Sequence, residues 1–184
     1  MNGVLKLALV AAALTIGVNG VVGQQMAAAP AKVSLAGEAI AAYTQTKTVI
    51  LAAAEAMPAE NFSFKPTPEI RSYGELFTHV AQAQTRLCGA VSGTPADPGT
   101  APAAVSKDEV IAALNKSFDV CDAAYATVTE ANETEVSGTG FLHGSKLAQM
   151  QKNVAHNNEM YGQMVVYLRL KGIVPPSTAL RNKK

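Results

Sequence analysis

Apolar side chains recur every three to four residues along four long segments of the chain, which is the period of an α-helix with one buried face. These segments run approximately over residues 34–57, 72–91, 106–130 and 145–171. No stretch alternates apolar and polar residues as a half-buried strand does. The pattern therefore predicts an all-α protein built from four long helices.

Local signals mark where three of these helices begin or end. Ser72 with Glu75, and Ser106 with Glu109, have the spacing of a capping box, in which each side chain binds the other residue's free backbone N–H. Gly172 follows the last periodic segment, and two prolines after it prevent extension of that helix. Four helices joined by loops make a four-helix bundle the simplest architecture.

The amino terminus has a different composition from the rest of the chain. Lys6 precedes an apolar run of about ten residues, and Val21 and Gly23 suit signal-peptidase cleavage before Gln24. Spanning a bilayer takes about 20 apolar residues, so the run favours a removable signal over a stable membrane anchor, although an uncleaved anchor is the alternative. We expect a signal peptide at residues 1–23 and an exported protein, periplasmic or secreted.

The remaining boundaries follow from the same pattern. Residues 24–33 are expected to form a disordered mature N-terminus, residues 34–177 the bundle, and residues 178–184 a basic C-terminal tail. The whole chain has 15 basic and 14 acidic residues, and loss of residues 1–23 removes only Lys6, leaving a formally neutral protein. A neutral chain has no excess of positive charge to attract a phosphate backbone, which excludes general nucleic-acid binding.

Cys88 and Cys121 are the only cysteines, and they lie in the second and third predicted helices. In an oxidising compartment they are candidates for a disulfide that joins these helices. Two buried thiols that pack as small apolar residues are the alternative. Neither cysteine belongs to a CxxC pair, so the sequence does not indicate a redox-active dithiol.

The histidines are the candidate metal ligands. His79 lies at the edge of the apolar stripe of its helix, whereas His156 lies nearly opposite the main stripe of the last helix. That main stripe comprises Leu147, Met150, Val154, Tyr161, Val165 and Leu168. Met160 is one turn from His156, so both side chains can converge on one point. The face of His156 also carries the candidate groove residues Asn153, Gln163 and Tyr167.

Two blocks of sequence resemble the DinB-like family. Residues 60–79 read ENFSFKPTPEIRSYGELFTH, and residues 155–177 read AHNNEMYGQMVVYLRLKGIVPPS. The resemblance extends from about residue 34 to residue 177. It implies an up-down-down-up four-helix bundle, often dimeric. It also implies a divalent metal held by three histidines, one from the second helix and two from an HxxxH pair on the last.

Carried over by position, this resemblance places metal ligands at His79 and His156, while the third ligand position is occupied by Met160. A thioether suits Cu(I) but is a poor ligand for Zn²⁺ or Ni²⁺. A weak Zn or Ni site completed by water, Glu159 or Glu75 is therefore one interpretation. A metal-free pocket and a copper site are the others, with copper the least favoured.

We therefore expect an exported DinB-like bundle with a degenerate divalent-metal site, a small-molecule ligand as partner, and a homodimer as the implied assembly. The alternatives are a metal-dependent thiol transferase or hydrolase-like enzyme, since relatives in the wider superfamily use low-molecular-weight thiols, and a metal-free binding or structural bundle. His143, in a glycine-flanked loop, is a further candidate ligand but is expected to be solvated. The incomplete ligand set and the absence of a GxSxG elbow count against an enzyme, and the sequence leaves enzyme status open.

Overall fold

The structure is a computed structural model, and it describes residues 33–94, 97, 99 and 106–182. The predicted signal peptide and nearly all of the predicted disordered segment lie outside these residues. Among the described residues, none of the helices is long and apolar enough to cross a membrane.

The all-α prediction is confirmed, with four long helices among the described residues. These are α1 (Leu35–Ala56), α2 (Tyr73–Ser92), α3 (Lys107–Tyr125) and α4 (Lys146–Leu170). A short helix, α5 (Pro176–Arg181), begins inside the predicted bundle and continues into the predicted basic tail. Its second residue is tied to α4, because the Ser177 backbone N–H donates to the Tyr161 hydroxyl at 2.9 Å.

Between α3 and α4 the chain forms a small antiparallel ladder that the apolar pattern does not reveal. Strand β1 (Val136–Ser137) pairs with strand β2 (Gly144–Ser145), and a 3₁₀ turn (Gly140–Leu142) lies between them. Gly138 has a positive φ of 70°, and an added Cβ there would collide with the Leu142 carbonyl. This glycine therefore lets the segment fold back on itself tightly.

Serine side chains begin all four long helices. Ser34, Ser72, Ser106 and Ser145 each accept a backbone N–H from the first turn of the following helix. Both predicted capping boxes are present, at Ser72 and at Ser106. The third helix ends at Tyr125, about five residues before its predicted end, in a turn where the Thr127 hydroxyl donates to the Ala124 carbonyl.

The helices pack into a helical bundle around one core. Helix α2 packs extensively against both α3 and α4, and α1 packs mainly against α4. A disulfide joins Cys88 of α2 to Cys121 of α3, and both residues are fully buried. Of the two alternatives for the cysteines, the structure therefore contains the disulfide.

The buried face of α4 differs from the predicted apolar stripe. It includes three amides as well as apolar residues: Gln149, Asn153 and Asn157. Burial of an amide is tolerated when a partner satisfies it. The Asn153 amide donates to the Tyr125 hydroxyl at 2.9 Å, and the Asn157 amide donates to Gln84 Oε1 at 2.9 Å. Gln84 in turn donates to the Ser117 hydroxyl at 3.0 Å.

Candidate functional site

His79 of α2 and His156 of α4 face each other although 77 residues separate them in the chain. Their Nε2 atoms are 3.1 Å apart, and the ring centroids are 5.0 Å apart. Two nitrogen ligands of a tetrahedral Zn²⁺, each about 2.0–2.1 Å from the metal, lie about 3.3 Å apart. The two imidazoles therefore have a separation that suits two ligands of one ion.

An open cavity of about 470 Å³ lies beside this histidine pair. It is bordered by α2, by α4 and by the 3₁₀ turn that precedes α4. Its lining residues are His79, Ala83, Arg86, Leu87, Phe141, Leu142, Lys152, Ala155, His156 and Glu159. Its volume lies in the range of small-molecule binding sites, about 300–1,000 Å³.

Burial is the main influence on both imidazoles, and it lowers the pKa of His79 and of His156. The positive charges of Arg71 and Arg86 lower the pKa of His79 further, while the Glu159 carboxylate opposes them. Since an ordinary histidine has a pKa of about 6.5, both rings are neutral at pH 7. Neutral imidazole is the form that binds metal.

The far side of the His156 ring faces the core. Within the described part of the chain, His156 Nδ1 and Asn157 Oδ1 are both buried without a well-formed hydrogen bond. Asn157 nevertheless raises the pKa of His156 as a hydrogen-bonding neighbour. A proton on His156 Nδ1 can be donated to this amide oxygen, which leaves Nε2 free on the side of His79. A metal-binding imidazole usually has such a hydrogen bond at its other ring nitrogen.

The sequence of this site matches a known family. A model of the DinB superfamily matches residues 42–164, about two thirds of the chain. That span contains both facing histidines and both cysteines. The chain belongs to the DinB superfamily. The predicted DinB-like resemblance is thereby confirmed.

Solved structures of DinB-like proteins are similar to this DinB-superfamily chain. A DinB-like protein from Bacillus cereus ATCC 10987 is 15% identical to this chain, with a TM-score of 0.67. The match covers 76% of this chain and 95% of the Bacillus cereus protein. The DinB-like protein YjoA from Bacillus subtilis is 17% identical with a TM-score of 0.60, covering 73% and 92%. At these identities the similarity concerns the fold alone. No curated protein matches the chain.

The family resemblance places Met160 at the position of a third metal ligand. Met160 is 4% exposed and packs in the core instead of lining the cavity. Glu75 is engaged elsewhere, since it closes the Ser72 capping box and pairs with Lys65 at 3.2 Å. Glu159 is the carboxylate that lines the cavity with both histidines. Among the described residues, no three His, Cys, Asp or Glu side chains form a group that could hold a metal ion.

The other predicted residues lie away from the cavity. Asn153 is buried beside the disulfide, with its Nδ2 atom 3.6 Å from Cys88 Sγ and 3.7 Å from Cys121 Sγ. Tyr167 is buried and its hydroxyl donates to the Arg71 carbonyl at 2.6 Å, while Gln163 is exposed. The predicted groove of Asn153, Gln163 and Tyr167 is not the cavity found here, because the helix turns these side chains toward the core or the solvent.

Sequence reasoning named Glu159 but did not assign the two basic residues of the cavity lining. Arg86 follows His79 at a spacing of two helical turns, and Lys152 precedes His156 by one turn. Those spacings could have identified both residues once the two histidines were chosen. Phe141 had no such signal, because it reaches the cavity from a loop.

Proposed function

We propose that this protein is an exported DinB-superfamily bundle that binds a divalent metal ion weakly through His79 and His156. The observation that supports this proposal is the 3.1 Å separation of their Nε2 atoms in one cavity. Water completes the coordination, because among the described residues no carboxylate forms a three-residue metal group with the two histidines. The Met160 thioether, which would favour Cu(I), lies in the core, so we propose Zn²⁺ or Ni²⁺ as the ion.

The order and direction of the helices, and the export of the protein, are part of the same proposal. The four long helices suit the up-down-down-up four-helix bundle that the family resemblance implies. Export is supported by the disulfide between Cys88 and Cys121, because such bonds persist in oxidising compartments and are rare in the cytosol. A bound ion would supply Lewis-acid polarisation of a small ligand in the cavity. The chain's own residues would orient that ligand and limit its access to water.

Zinc titration of untagged protein tests the proposal. We expect one equivalent of Zn²⁺ to bind, and His79→Ala or His156→Ala to weaken binding by at least about tenfold, because loss even of an outer-shell partner costs 10–100-fold. His143→Ala is the matched control, since His143 is exposed and does not line the cavity.

A second variant tests whether the Met160 thioether contributes to zinc binding. Met160→Leu keeps an apolar side chain in the core, so zinc affinity should stay unchanged. The proposal is wrong if the original protein binds no stoichiometric metal, or if His143→Ala weakens binding as much as His79→Ala does. A metal-free bundle would then be the better description.

A further inference from the structure

The cavity beside the histidines has more positive than negative charge. Arg86 projects into it from α2 and Lys152 from α4, while Glu159 is the one carboxylate among its described lining residues. With both imidazoles neutral, one positive charge is left in excess. A ligand with a negative charge would balance it.

Arg86 is free to bind such a ligand. Within the described part of the chain, no hydrogen bond or ion pair engages its guanidinium, and the residue is exposed. It also lines a neighbouring cavity of about 290 Å³, together with Gly89 and Leu142. Arg86 therefore borders two concave surfaces, and its guanidinium donors are available to a carboxylate or a similar anion.

The rest of the cavity wall is apolar. Ala83 and Leu87 of α2 and Ala155 of α4 line it, and Phe141 stands at its edge with 86% of its surface exposed. Lys152 holds the Phe141 segment, since its ammonium lies 5.4 Å from the ring centroid and donates to the Phe141 carbonyl at 3.2 Å. An aromatic ring left in water at the edge of an apolar cavity gains by packing on an apolar ligand.

We propose that this cavity binds a small organic anion with an aromatic body. The anionic group binds Arg86 and Lys152, and the ring packs between Leu87 and Phe141. This inference relies on the proposed function only for the location of the ligand, beside His79 and His156. Binding of the anion does not require the metal ion.

Displacement of a fluorescent probe tests this inference on metal-free protein prepared by chelation and dialysis. The probe is 8-anilinonaphthalene-1-sulfonate, which is both aromatic and anionic. We expect saturable binding with one equivalent, displaced by benzoate but not by benzylamine, benzyl alcohol or acetate. Arg86→Gln should weaken both the probe and benzoate by about tenfold, the usual effect of losing a charged hydrogen bond.

Lys116→Gln is the matched control, because it removes the same charge from an exposed position on α3, away from the cavity. It should change affinity by less than about twofold. Equal displacement by benzylamine or benzyl alcohol would overturn the inference, as would equal effects of Arg86→Gln and Lys116→Gln. Benzoate binding without zinc binding would refute only the proposed function, and zinc binding without benzoate binding would refute only this inference.

Discussion

His79 and His156 form a pair whose chemistry is set by the side chains around it. Burial lowers the pKa of both rings, and Glu159 acts in the opposite direction on each. Protonation is therefore disfavoured at neutral pH, and both rings keep a lone pair for a ligand. The sequence and the family resemblance identified both histidines as candidate ligands, whereas only the tertiary structure shows that the two rings are in contact.

Zinc affinity should depend on pH through these two rings. Protons compete with the metal for the same nitrogens, so affinity should be constant above about pH 7 and fall on acidification. Because the pKa values lie below that of an ordinary histidine, about 6.5, the fall should begin at lower pH than for two exposed histidines. Below both pKa values the loss should approach about a hundredfold per pH unit.

Competition titrations with a metal indicator between pH 5 and pH 8 measure this dependence. Affinity that does not change over that range would mean that the imidazoles are not the ligands. The protein's fluorescence or circular dichroism, recorded over the same range, shows whether the fold is intact at each pH.

Helix α4 combines two kinds of buried contact at the level of secondary structure. Its apolar residues pack in the core, and its amides Asn153 and Asn157 bond to α3 and α2. Buried amides have specific partners, so they favour one rotation of α4 about its axis over others. That same rotation brings His156 to the cavity and turns Met160 away from it.

Tyr125→Phe should destabilise the bundle because it removes only the hydroxyl that accepts the Asn153 amide. An unsatisfied buried donor costs about 1–3 kcal/mol, and we expect a decrease of that size in the free energy of unfolding. Urea denaturation followed by circular dichroism measures it. The double variant with Asn153→Leu should lose less than the sum of the two single variants. Additive losses would show that the hydrogen bond contributes little.

At the level of the whole molecule, one covalent bond links the two helices that pack most extensively. The disulfide joins residues 33 positions apart and lies in the core beside Asn153. In the chain-entropy model, closing a loop of this length stabilises the fold by restricting the unfolded chain. The bond also suits the exported location that we propose.

Cys88→Ala with Cys121→Ala should lower the free energy of unfolding by roughly 3–4 kcal/mol, as the loop length predicts. Urea denaturation with and without a reductant measures the loss. Reduction of the original protein should have a similar effect, and the double variant should not respond to reductant. Two free thiols in protein isolated from its natural host would contradict the prediction and remove this support for export.

Local signals in the sequence determined the helices and most of their ends. The 3.6-residue period is a property of each segment, and the serines that cap α2 and α3 bind N–H groups only three residues away. The same reading overextended α3 and missed α5 and the short strands, whose formation depends on contacts with other segments. Helical position also singled out His79 and His156, and the family resemblance implied that they are metal ligands.

Only the tertiary structure decided which side of each helix faces which neighbour. Burial of Asn153 and Asn157 depends on partners in other helices, and no period along α4 reveals those partners. The cavity likewise combines residues of α2, α4 and a loop, among them Arg86 and Phe141. The hydrophobic period of a helix shows only which of its faces is apolar. An asparagine that a hydrogen bond from another helix stabilises in the core cannot be told in the sequence from an asparagine in water.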